Sequence, residues 1–148
     1  MKISSFSVRE QVSRSRRRAS VLLEFAFVIP ILATLGIGIL EVARAVMVRQ
    51  ILSDAARKGC RTAVLPSGTT ATATQDAKDV LTLNNISSTS ATVTILVNGV
   101  SADASTAKMN DQVSVKVSIP FAAVSWTSPI FLKNNNVESV TLVMLRQG

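Results

Sequence analysis

The chain has 148 residues, is 47% hydrophobic but only 4% aromatic, and carries 16 Lys and Arg against 9 Asp and Glu, a formal charge of +7. It has no His and a single Cys, which excludes histidine-based acid–base catalysis, an internal disulfide and a Cys- or His-built metal cluster. A basic total points to nucleic acid or an anionic membrane surface, and the scarcity of aromatics for base stacking weighs against the first.

The charge is unevenly placed. Residues 1–18 hold six bases and one acid, net +5. Residues 19–41 hold two acids and no base, and residues 42–61 hold five bases against one acid. Residues 62–148 hold five of each, so the whole excess lies in the first 61 residues. A basic head before an apolar run is the pattern of a membrane-directed N-terminus. Arg16, Arg17 and Arg18 directly precede the run ASVLLEFAFVIPILATLGIGIL, residues 19–40, which has one charged member, Glu24. As a helix it is about 33 Å long, enough for the hydrocarbon core of a bilayer. The excess of bases before the run predicts a cytoplasmic N-terminus and an exported remainder.

A carboxylate inside an apolar span costs free energy unless it is paired. Glu24 therefore either reaches back toward Arg18 and the headgroups or meets a positive group on another molecule. Pro30 removes one helical hydrogen bond and predicts a kink. Beyond the span the helical pattern runs on to Pro66. Val48, Ile51, Leu52, Ala55, Ala56, Gly59 and Ala63 cluster on one side, and Arg49, Gln50, Asp54, Arg57 and Arg61 fall on the other. The small residues of this stripe let a sheet pack closely, and Cys60 at its edge reads as a packing residue.

Residues 66–74 read as a loop and Gln75 to Leu83 as a short helix, with Ala77, Val80, Leu81 and Leu83 inward. Thr92 to Val97 and Gln112 to Ile119 alternate as strands, with Asn98-Gly99 as a turn signal between them. Pro120 ends the second. Phe121, Trp126 and Phe131 are expected to cap the core. Val137 to Leu145 reads as a third strand. The expected fold is α+β: a long N-terminal helix packed on a small antiparallel sheet. The corresponding organisation is a basic leader over 1–18, a membrane span over 19–41, an amphipathic continuation over 42–65 and a small exported domain over 66–148.

The segment RRRASVLLEF, residues 16–25, resembles the N-terminus of type IV prepilins and pseudopilins. Over residues 16–64 the chain more closely resembles the TadE-like pseudopilins of tight-adherence (Flp) pilus systems. The residues that carry the likeness are LEFA at Leu23–Ala26, Pro30, EVAR at Glu41–Arg44 and QILSDAARKGCR at Gln50–Arg61. The resemblance implies a leader ending at Ala19 and a mature chain starting at Ser20, with a prepilin peptidase as a partner. Prepilins favour Gly where this chain has Ala19, so a cleaved and a retained leader both stay open. It also implies that Glu24, beside Phe25, faces the Ser20 amine of the next subunit during assembly.

The function expected is structural: a single-pass inner-membrane pseudopilin of a bacterium that enters or helps assemble a pilus or secretion apparatus. Its partners would be other pilins, the assembly machinery and the membrane, with no nucleic acid and no cofactor. The alternative is an exported binding domain released by signal peptidase after Ala45, since Ala43-Arg44-Ala45 fits the cleavage pattern. The apolar run is longer than an ordinary signal-peptide core and contains Glu24 and Pro30, which disfavours that reading. No constellation for enzyme chemistry stands out.

Overall fold

The computed structural model describes the backbone of residues 5–126 and 128–147, and side chains from Ser20 onward. The chain divides into two units, residues 1–40 and 41–148. Helix α1, Ser5–Ala63, begins in the first and ends in the second. It starts well before the expected onset at residue 19 and stays helical through Pro30. The Thr34 hydroxyl donates to the Pro30 carbonyl oxygen at 2.8 Å.

The second unit is an α+β fold whose core is built on the last turns of α1. Val48, Leu52, Ala55, Ala56, Cys60 and Ala63 are fully buried, as the apolar stripe requires. The stripe serves two partners. Helix α2, Thr70–Leu83, buries Ala73, Ala77 and Leu81. It approaches so closely that a Cβ on Gly59 would lie 3.0 Å from the Ala73 carbonyl oxygen and 3.2 Å from the Ala77 Cβ. On the other side, the Cys60 Sγ lies 3.6 Å from the Val113 carbonyl oxygen of the sheet.

The first turn of α2 lies in what reads as loop. Thr69 is its N-cap: its hydroxyl accepts from the Thr72 N–H at 3.1 Å, and the Thr72 hydroxyl accepts from the Thr69 N–H at 3.0 Å. This reciprocal cap satisfies two otherwise orphaned amide donors, and it offsets the modest helix propensity of a Thr-rich stretch. At the other end of α2, Leu83 points to solvent.

Strands β1 (Thr92–Val97), β2 (Gln112–Pro120), β3 (Asn136–Glu138) and β4 (Leu142–Leu145) form one antiparallel sheet. The central strand is β2, which buries Val113, Val115, Val117 and Ile119 on one face. It pairs with β1 along one edge. At the end of β1, Asn98 (φ 51°) and Gly99 (φ 80°) make the tight turn. The Asn98 side chain then accepts from the Gln112 N–H at 2.9 Å, closing the excursion of residues 100–111 at its base.

Along its other edge β2 pairs with both β3 and β4, so the expected third strand is two. Ser118 faces Glu138, and Val115 faces Leu142. Residues 139–141, three in number, therefore oppose only Lys116 and Val117. This one-residue bulge reverses which alternate residues face inward. Val137 before it and Ser139 at its start are buried, and Leu142 and Met144 turn inward after it. The Ser139 hydroxyl accepts from the Val117 N–H at 2.9 Å, and the Ser139 N–H donates to the Val117 carbonyl at 2.8 Å. The bulge thus leaves Val117 fully paired.

Arg146 closes the far end of α1. Its side chain is 7% exposed. Its Nη1 donates to the carbonyls of Ala63 at 2.6 Å, Ala104 at 2.9 Å and Gly68 at 3.3 Å, and its Nη2 donates to Pro66 at 2.9 Å. A cation at a helix C-terminus meets carbonyls that lack helical partners and the negative end of the dipole. Arg146→Met keeps the stem and removes the donors. It is expected to lower unfolding free energy by about 2–4 kcal/mol, since several carbonyls would be left buried and unpaired. Chemical denaturation of the full chain in detergent measures this, and an unchanged midpoint would remove Arg146 from the support of the fold.

Candidate functional site

In the first unit, the helix from Ser20 to Leu40 presents apolar side chains all round. Leu22, Phe25, Phe27, Ile31, Leu35 and Leu40 are all more than half exposed. An 18-residue window of this helix has a mean hydropathy of 2.2. A helix apolar on every side suits lipid or other helices rather than water. Glu24 lies within this surface, is exposed, and has no hydrogen-bond or ion-pair partner among the described residues. Phe25 stands beside it, and Pro30 lies a turn and a half further on. The side chains of Arg16, Arg17, Arg18 and Ala19 lie outside the described residues.

The second unit begins with a polar cluster that the sequence does not announce. Glu41 closes the apolar run, yet it is only 4% exposed. Its Oε1 accepts from the Ile130 N–H at 2.6 Å, and its Oε2 accepts from the Phe131 and Leu132 N–H groups at 3.1 Å each. Three successive amides converging on one carboxylate form a nest for negative charge. One turn further along α1, the Arg44 Nε donates to the Val124 carbonyl at 2.9 Å. The Arg44 guanidinium also lies over the Trp126 ring, 4.7 Å from its centroid, a cation–π distance. Glu41 and Arg44 together fix the loop that follows β2.

That loop departs from expectation. Phe121 is buried in the core. Trp126 and Phe131 do not cap it: they are 72% and 57% exposed, and Ile130 beside them is 62% exposed. The loop's backbone turns toward Glu41, so its large side chains project outward. The signal that could have found the cluster is Glu41 itself, a second acid at an apolar run that needs a partner for the same reason as Glu24.

The arrangement can bind and brace. Among the described residues no group of three or more Cys, Asp or Glu could hold a metal ion. Two acids of the second unit, Asp103 and Asp111, build turns instead. Asp103 accepts from the Ser105 N–H, which holds its carboxyl below the usual range. Asp111 is likewise lowered, first by the Asn98 amide and then by the Lys108 N–H. The one thiol, Cys60, is fully buried, and burial pushes its pKa up.

Residues 19–61 match the family described as TadE-like protein. The match ends two residues before α1 does and takes in Glu24, Phe25, Pro30, Glu41 and Arg44. Comparison with curated proteins and with solved structures finds no match. The TadE-like family suggests a component of Tad/Flp pilus machinery, and the apolar helix is compatible with membrane anchoring. The loop atoms that Glu41 and Arg44 hold lie outside the TadE-like segment.

Two outcomes follow from this geometry. Glu41→Ala frees the Ile130, Phe131 and Leu132 amides, and is expected to raise their hydrogen-exchange rates at least tenfold while β2 keeps its protection. Equal exchange in the variant would show that the loop is held by something else. Cys60 is expected to resist alkylation in the folded chain at neutral pH and to react fully on unfolding. Mass-detected labelling checks it, and rapid native labelling would contradict the packing around Cys60.

Proposed function

We propose that this chain is a membrane-anchored TadE-like pseudopilin, a structural or assembly component of a Flp or type IV-like pilus or secretion apparatus. One observation carries the reading: the TadE-like match falls on a stretch of helix that is apolar on every side between Ser20 and Leu40 and carries the core of a folded unit between Val48 and Ala63. The anchor spans the inner membrane once, with the basic N-terminus in the cytoplasm and the α+β unit exported. Other pilins and the assembly machinery contact it through the helix.

Glu24 is the assembly residue in this reading. A carboxylate in lipid gains most from a cation that is also desolvated. If the leader is cut after Ala19, the Ser20 amine of a neighbouring subunit supplies that cation. If it is kept, another positive group must do so. Release by signal peptidase after Ala45 would instead remove Glu41 and Arg44, leaving the 124–132 loop without both anchors. That loss weighs against the exported-domain alternative.

Intact mass and N-terminal sequencing of the protein from its native host test the reading. A start at Met1 or Ser20 in the membrane fraction is expected, and a start at Val46 in a soluble fraction would overturn it. Glu24→Ala is expected to insert at wild-type levels while surface pili, counted by electron microscopy, are lost. Wild-type piliation in that variant would remove Glu24 from the mechanism.

A further inference from the structure

We infer that the 124–133 loop is an interfacial anchor, held by Glu41 and Arg44 so that Trp126, Ile130 and Phe131 enter the headgroup region of an anionic bilayer. The inference rests on the membrane reading above and adds a second, non-spanning contact to it. Three observations carry it.

The first is continuity. Glu41 directly follows Leu40, the last residue of the apolar run, and it holds the amides of Ile130, Phe131 and Leu132. A segment tied to the residue that ends a bilayer span is held at the level of the headgroups. The second is composition. Trp and Phe settle at membrane interfaces, where an apolar ring meets polar headgroups. Here the chain's single Trp, one Phe and one Ile are exposed together on one loop, although nothing in a water-facing fold favours that.

The third is charge. Arg44 lies over the Trp126 ring and Lys133 follows Leu132 on an exposed position, while residues 124–133 contain no acid. The acid beside them, Glu41, has its oxygens turned onto backbone amides. The surface offered to the bilayer is therefore apolar with a basic rim, which complements anionic lipid.

Trp126 reports on this directly, because the chain has no other Trp and no Tyr. The full chain is incorporated into nanodiscs of phosphatidylcholine and phosphatidylglycerol, with bromine labels placed shallow or deep on the acyl chains. Co-elution with the discs reports anchoring separately. The shallow label is expected to quench Trp126 emission roughly twofold and the deep label less, with acrylamide quenching suppressed, as befits an interfacial Trp. Glu41→Ala is expected to co-elute normally but to lose bromine quenching and regain acrylamide quenching. Co-elution with Trp126 open to acrylamide and untouched by bromine would overturn the inference, leave the anchor standing and point to a protein as occupant of the loop. Quenching unchanged by Glu41→Ala would overturn the tether. Failure to co-elute would overturn the membrane reading and the inference with it.

Discussion

A buried carboxylate at the end of an apolar run must find donors, and the way Glu41 does so organises its end of the folded unit. The 129–132 stretch has the complementary need. Pro129 has no N–H to offer a ladder, and the residues after it lie outside the sheet. Their N–H groups would be orphaned wherever the loop closes against protein. Carboxylate and amides satisfy each other, so neither needs water. The direction in which the loop turns its amides then dictates where its side chains go. Ile130 and Phe131 face outward because their backbone faces in.

Arg146 plays the opposite part at the other end of the docked helix. There the excess is of acceptors: carbonyls of the last turn of α1 and of the 66–68 turn, with no helical N–H left to meet them. A guanidinium supplies several donors in a fixed plane, and Arg146 uses them on four carbonyls from three separate segments. One end of the helix is thus tied by an acid reaching amides and the other by a base receiving carbonyls. Between them the contact is apolar and close, with Gly59 admitting α2 and Cys60 meeting the sheet. The polar ties fix where along the helix the remainder docks, which an Ala-rich stripe alone would specify poorly.

The elements that were legible in the sequence were those with an unbroken period. The alternation of Gln112 to Ile119 and of Thr92 to Val97 gave both strands nearly to the residue, because one face of each is buried and the other is not. The stripe from Val48 to Ala63 was legible for the same reason at helical period. The first turn of α2 was not, because Thr70 to Thr74 reads as loop and its helix depends on a cap formed between two Thr side chains. The split of β3 from β4 was hidden because a bulge shifts the period by one, and VESVTLVML looks continuous without the register of its partner. Large aromatics default to the core, yet Trp126 and Phe131 lie outside it because the backbone's polar ties decide their direction. Glu24 was legible as an anomaly, and Glu41, equally anomalous, found its answer 89 to 91 residues away, beyond any local pattern.

Glu41 binds backbone N–H groups, Arg44 binds a backbone carbonyl as well as the Trp126 face, and Gly59 packs on a backbone carbonyl and a methyl group. Contacts of this kind constrain the helix closely, since only a carboxylate, a guanidinium or a bare Cα will serve. They constrain the partner loosely, since every residue except proline carries the required N–H and every residue carries the carbonyl. The apolar stripe asks of the sheet only that alternate residues be apolar. At its polar ties the helix therefore needs particular residues, Glu41, Arg44 and Gly59, while most of the atoms it meets there are backbone groups that many sequences could supply.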